Sequence, residues 1–240
     1  MAQDLKDAGL DRLTLSCDSL KPDRYENITR GRLAPIEQSE AAGKEDATPL
    51  LDRFYRGLEA AQRAGFTKLK INIVVIGGIN DDEAADFARL SIDNPWTIRF
   101  IEYMPLGDSA LTDQAEGFLV DNAVIRQQIE DELGPMVSVK PGKEIGVGPA
   151  QVYALDDAKG KVGFISAMSK PFCESCNRLR LTATGELRSC LFDGGEVSVL
   201  PAIRPSVNHD AIISLMSQCV AMKPEVHSNR GDRQMSQIGG

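Results

Sequence analysis

The feature that most limits the fold is an alternation of two hydrophobic periods between Arg12 and Met104. Arg12-Leu13-Thr14-Leu15-Ser16-Cys17 reads as a short strand, and Lys70-Ile71-Asn72-Ile73-Val74-Val75-Ile76 as a buried one turned by Gly77-Gly78. Between them Leu51, Phe54, Leu58 and Ala61 recur at helical spacing until Gly65 stops the run. Ala84, Phe87 and Leu90 mark a second helix, with Asn80 or Asp81 as its cap and Pro95 at its end. Thr97 to Met104 is a third strand. Strand, helix, strand, helix, strand predicts a parallel sheet with crossover helices, an α/β fold. In such sheets functional side chains collect at the carboxyl ends of the strands, here Ser16, Val75 to Gly77 and Met104. Leu5 and Ala8 read as the last turn of a helix stopped by Gly9, so the chain begins like a piece of something longer.

Residues 31–49 have no period and read as an inserted, solvated loop. Past Gly107 the texture changes. Ile125, Ile129 and Leu133 form a helical stripe ended by Gly134-Pro135, and Val152 to Leu155 and Lys161 to Ser166 read as two strands. Leu179 to Thr182 and Leu187 to Leu191 read as a hairpin around Ala183-Thr184-Gly185-Glu186. Ile212, Leu215, Met216 and Cys219 form a last stripe. We therefore expect a first domain over residues 1–108, carrying the loop 31–49, and a smaller α+β domain over 109–240.

A net charge of −8 argues against broad nucleic-acid binding but leaves room for a local basic pocket. No apolar run reaches the roughly 18 to 20 residues that span a bilayer. The first residues have no apolar core like that of a signal peptide. Five cysteines, an odd count with three close together, fit a reducing compartment and a metal site better than a disulfide framework, so a cytoplasmic location is expected.

The chemistry concentrates in Cys173-Glu174-Ser175-Cys176, followed after thirteen residues by Cys190. A C-x-x-C sets two thiolates on one turn, and the third arrives from the far strand of the hairpin. Such donors suit an iron–sulfur cluster or zinc. Structural zinc wants a fourth ligand, for which Cys219, His209 and His227 are the candidates. Cys219 lies on an apolar stripe and reads as a core thiol, and Cys17 as a packing residue. Three thiolates without a clear fourth favour a 4Fe–4S cluster with one open iron; zinc, or no metal, stand beside it as alternatives. Arg178 and Arg180 are two apart on a strand, so their guanidinium forks share a face, with Leu179 and Leu181 on the other. Paired forks suit a phosphorylated ligand.

Taken together, these residues resemble the GTP 3′,8-cyclase family of molybdenum cofactor biosynthesis. The resemblance runs through Ala8-Gly9-Leu10-Asp11-Arg12, Asp18-Ser19-Leu20, Lys70-Ile71-Asn72, Gly78-Ile79-Asn80-Asp81, and Arg99-Phe100-Ile101-Glu102-Tyr103-Met104-Pro105. It continues through Phe172-Cys173, Cys176-Asn177-Arg178-Leu179-Arg180-Leu181, Leu187-Arg188-Ser189-Cys190-Leu191-Phe192, and Ile238-Gly239-Gly240. It implies a partial radical-SAM (β/α) barrel followed by a smaller α+β domain that holds a 4Fe–4S cluster on Cys173, Cys176 and Cys190. By the same carry-over, Lys70, Arg178, Leu179 and Arg180 bind GTP, Ser16 and Met104 contact S-adenosylmethionine, and Gly239 and Gly240 reach into the active site. The family takes hydrogen from C3′ of GTP with a 5′-deoxyadenosyl radical and joins that carbon to C8. Its partners are GTP and S-adenosylmethionine, a homodimer mate, and a downstream cyclic pyranopterin monophosphate synthase; neither nucleic acid nor membrane is among them. The family's other cluster sits on a C-x-x-x-C-x-x-C that these residues do not contain, so the chain reads as amino-terminally truncated and is expected not to cleave S-adenosylmethionine alone. A non-catalytic zinc or nucleotide-binding module is the alternative.

Overall fold

The computed structural model describes residues 1–29, 49–107, 115–140, 148–228, 231, 233 and 235–238. Most of the expected inserted loop, together with Gly239 and Gly240, lies outside the described residues. In chain order the elements are α1 (Ala2–Asp7), β1 (Thr14–Ser16), α2 (Pro22–Thr29), α3 (Leu50–Arg63), β2 (Lys70–Val75), α4 (Ala84–Asp93), β3 (Thr97–Glu102), α5 (Ala115–Phe118), α6 (Asn122–Leu133), β4 (Val137–Ser138), β5 (Gln151–Ala154), β6 (Lys161–Ile165), β7 (Arg180–Leu181), β8 (Glu186–Arg188), β9 (Glu196–Ser198), α7 (Leu200–Ile203) and α8 (His209–Ala221). The chain packs as two units, one of residues 1–103 with 117–166, the other of 104–116 with 167–240.

The first unit is built on a six-stranded sheet in the order β1-β2-β3-β6-β5-β4. β1, β2, β3 and β6 run parallel, and β5 and β4 close the sheet antiparallel. The expected parallel α/β sheet is therefore present. It also takes in the three strands that follow α6, because β6 pairs with β3 along five residues and β5 and β4 add on beyond it. The packing units thus do not coincide with a cut at 108/109. Every second side chain of β2 and β3 is buried. Ile71, Ile73, Val75, Ile98 and Phe100 make one face, which packs with Leu51, Leu58 and Ala61 of α3, Phe87 and Ala88 of α4, and Ile125 and Ile129 of α6. Each of the larger side chains among them (Val, Leu, Ile, Phe) stabilises the unit by about 1.5–3 kcal/mol against exposure.

Asn80 and Asp81 do not cap α4. Asn80 is buried, accepts from Ile76 N through Oδ1 (2.7 Å), and donates from Nδ2 to Asp18 O (2.7 Å) and Val74 O (2.8 Å). Asp81 Oδ1 accepts from Gly78 N (2.8 Å). Both side chains are spent on closing the end of β2, and a 3-10 turn over Asp81–Glu83 leads into the helix instead.

The second unit holds a small antiparallel sheet, β7-β8-β9, over a core of Leu187, Val197, Val199 and Cys219, with Leu179, Ile203 and Leu215 packed against it. Asn208 caps α8 by accepting from Ala211 N (3.0 Å). The hairpin turns at Gly185, whose φ of +80° is the left-handed region that favours glycine. The end of the chain is tied to the same unit. Gly231 bonds with Pro105 O (2.9 Å) and Gly107 N (3.0 Å), and Ile238 is fully buried.

Candidate functional site

In the first unit the faces of β1, β2 and β3 away from the helices carry the polar residues. The register sets Ser16 beside Asn72, and Asn72 beside Arg99. One pleat earlier Thr14 stands beside Lys70 and Lys70 beside Thr97. Period-two geometry puts these side chains on one face. Arg99 Nε donates to Asn72 Oδ1 (2.8 Å), which fixes the guanidinium over the sheet. Gly163 of β6 is the next register partner of Arg99, and a Cβ there would stand 3.3 Å from Arg99 Cγ. Glycine gives the arginine stem its space. Half-buried Lys70 has its pKa lowered, first by burial and then by the charges of Arg99 and Arg12. An anion on this face would relieve that repulsion. Ser16 is exposed at the end of β1. Lys70 and Ser16 were named from sequence; Asn72 and Arg99 were not given roles, although polar residues at alternate positions of apolar strands were their signal.

In the second unit Cys173 and Cys176 lie on one 3-10 turn, Cys173–Ser175, closed by Cys176 N donating to Cys173 O (3.1 Å). Cys190 follows β8 by two residues. All three are free and half-buried. Among the described residues no three His, Cys, Asp or Glu side chains stand together as a metal-holding group, and these three thiols are no exception. As a donor set they fit an iron–sulfur cluster: three unpaired thiols, two on one tight turn, with the Lys223 ammonium on Cys176 Sγ at 3.3 Å. Of the other zinc candidates, Cys219 and His227 are committed elsewhere. Cys219 is fully buried in the small core with Sγ toward Gly195 O (3.5 Å), and its pKa is raised by burial. The ring nitrogens of His227 face Ala167 O (2.8 Å) and Ser228 O (2.6 Å), while the ring stacks on Phe192 with centroids 4.2 Å apart. His209 is exposed at the start of α8. Cys17, buried in the first unit, has a pKa pushed up to about 12 by burial, as a packing thiol should.

The arginines are denser than the sequence suggests. Arg180 pairs directly with Arg188 across the hairpin, and like charges opposite each other destabilise a sheet unless something compensates. Arg188 is fully buried and paired with Glu196, whose other oxygen accepts from Arg233 (2.9 Å). Arg180 has its pKa lowered by burial, then by Arg178 and Arg188, with Cys190 opposing. Arg180 Nη1 also donates to Ile238 O (3.3 Å), just before the terminal glycines. Arg178 is exposed, with its guanidinium 5.8 Å from the ring of Phe172. One expectation fails here. Leu179 packs on the core while Leu181 is 56% exposed, because β7 is only two residues long and strand alternation does not extend through Arg178 and Leu179. Met104, half-buried, follows β3 and begins the second unit. Arg188 had no role in the sequence reading; a lone arginine in a three-residue strand gives no sign that its partner comes from β9.

Comparison with known protein families divides the chain before β3, at a different place from the packing units. Residues 1–91 match the model of the radical SAM superfamily, and residues 96–229 match the model named Molybdenum Cofactor Synthesis C. A radical SAM chain joined to that second module is the class defined by the parallel sheet and the thiol–arginine hairpin. The superfamily works with a 4Fe–4S cluster and S-adenosylmethionine. Over 243 residues the chain is 41% identical to the GTP 3′,8-cyclase of Pelotomaculum thermopropionicum, spanning all of this chain and 68% of that protein. It is 39% identical to those of Alkaliphilus metalliredigens, over 98% of this chain and 67% of that one, and of Nostoc sp., over 100% and 70%. The chain belongs to the GTP 3′,8-cyclase family. No helix among the described residues is long and apolar enough to cross a membrane.

Proposed function

We propose that this chain serves the radical conversion of GTP to 3′,8-cyclo-7,8-dihydro-GTP in molybdenum cofactor biosynthesis, as a GTP 3′,8-cyclase. The observation that carries this is the hairpin on which Arg180 and Arg188 face each other between free cysteines, in a chain of net charge −8. Like charges facing each other across a sheet favour an anion or a carboxylate against them, and Glu196 is a carboxylate that Arg188 meets. Cys173, Cys176 and Cys190 hold the 4Fe–4S cluster, and its assembly draws the three sulfurs together. Arg178, Leu179 and Arg180 take GTP, as does Lys70, which shares its face of the sheet with Asn72 and Arg99. Ser16 and Met104 contact S-adenosylmethionine, and Gly239 and Gly240 reach the reacting nucleotide. Bound, these cofactors supply a radical that removes hydrogen from the ribose and an open iron for the base. The residues here orient the nucleotide and neutralise its phosphates. SAM cleavage is not assigned to these 240 residues, which contain no C-x-x-x-C-x-x-C. The same reading carries a cytoplasmic location, a homodimer, and a cyclic pyranopterin monophosphate synthase that consumes the product.

The test is metal and sulfide content after anaerobic purification, with GTP titrated into the loaded chain by calorimetry. Iron and sulfide in equal amounts, lost in Cys173→Ala, are expected. Arg180→Met should weaken GTP about 10-fold or more, the worth of a charge-assisted contact. Zinc without iron or sulfide would favour the non-catalytic module and overturn the assignment.

A further inference from the structure

Lys223 stands just past α8, and its backbone is fixed there by Lys223 N donating to Val220 O (3.1 Å). Its ammonium makes two contacts, to Cys176 Sγ (3.3 Å) and to the carbonyl of Arg178 (2.9 Å). The residue before it, Met222, accepts through its carbonyl from Ser189 Oγ (3.5 Å), next to Cys190. The end of α8 therefore touches both chain segments that bring cysteines to the site. The helix is held at this height by Cys219, one turn earlier, in the core with Leu187, Val197 and Val199.

We propose that Lys223 is a positioning residue for the cluster on Cys173, Cys176 and Cys190: it hydrogen-bonds the Cys176 sulfur, and through the Arg178 carbonyl it ties that ligand to the arginine segment that takes the nucleotide. This rests on the assignment of the three cysteines as cluster ligands. Two physical consequences follow. A cation on a ligand sulfur draws off negative charge and favours the reduced cluster, since hydrogen bonds to sulfur help set iron–sulfur potentials. Fixing Arg178 O beside Cys176 also couples cluster and nucleotide geometry without Lys223 touching either the iron or GTP.

The experiment compares the anaerobically loaded full chain with Lys223→Met and Lys223→Arg by iron and sulfide content and by redox titration followed by electron paramagnetic resonance. Wild type should hold the cluster. K223M should keep its fold by circular dichroism, reduce at a clearly lower potential, and show an altered signal. K223R, which restores a cationic N–H donor, should recover most of the shift. A cluster-bearing wild type whose K223M variant keeps the same potential and signal overturns the role of Lys223 alone. A wild type without iron and sulfide overturns the cysteine assignment, and this inference with it. If K223M loses the cluster altogether, retention in K223R supports the proposal and equal loss in K223R overturns it.

Discussion

The two cationic sets of this chain are held in opposite ways. Lys70 and Arg99 stand on six-residue strands paired along their whole length, with the opposite face sunk in a core of Ile71, Ile73, Ile98 and Phe100. Arg180 and Arg188 stand on strands of two and three residues over a core with four fully packed members. There, side-chain ties do the work that long ladders do elsewhere: Arg188 and Arg233 on Glu196, Arg180 on Ile238 O, and Lys223 on Cys176 and Arg178 O. A long ladder positions a side chain whatever is bound. A site held by side-chain ties depends more on what binds to it, and among the described residues the three thiols do not stand together as a metal-holding group.

The largest effect expected from this contrast is in the ladder-held unit. Phe100 is buried and stacks on Phe164 with ring centroids 5.7 Å apart. Phe100→Ala should cost about 3–5 kcal/mol, the range for deleting a packed aromatic core residue. The single tryptophan, Trp96, is buried in the same core and reports the loss by fluorescence during urea unfolding. Iron loading should not rescue the variant. Rescue by the metal would erase the distinction between the two sites.

A smaller effect is expected from Arg188→Met. The substitution takes the arginine from one carboxylate oxygen of Glu196, leaves Arg233 on the other, and removes the like charge opposite Arg180. Breaking a fully buried ion pair costs more, but Glu196 is a quarter exposed and keeps its second arginine, so about 2 kcal/mol is the expected loss. Hydrogen exchange should show it in the amides of 180–188, with β2 and β3 still protected. Equal loss of protection in both units would mean that the hairpin is not a locally held structure.

How much of this was legible depended on the reach of the interactions. The three parallel strands could be read because period-two and period-3.6 runs alternate over residues 12–104. That β6 would join β3 could not, since a strand's partner across some sixty residues is a matter of topology and leaves no local pattern. β9 is three residues long and offers no period at all. The thiol spacing and the Arg178–Arg180 pair were plain in the chain, whereas Arg188 became visible only when Glu196 arrived from β9 to bury it. Asn72 and Arg99 were readable in principle, as polar residues at alternate positions of apolar strands. What they do became clear only from a register that sets them side by side.

The smallest effect, and the one with the opposite sign, belongs to Lys70. Burial, Arg99 and Arg12 lower its pKa, so the unfolded chain binds that proton more readily than the folded one. Stability then rises with pH between the depressed value and the ordinary lysine range, because the unfolded state releases its extra proton there. Lys70→Met should flatten that alkaline slope and slightly raise the melting temperature of the ligand-free chain at neutral pH, while weakening GTP. Half-exposure keeps the stability gain small. The split between the two readouts carries the test: a residue kept for its charge weakens the fold and strengthens the ligand, a trade common at functional sites. If K70M lowers the melting temperature and leaves GTP affinity intact, Lys70 is an ordinary strand residue, and the polar row on β1, β2 and β3 has lost its claim to an anion.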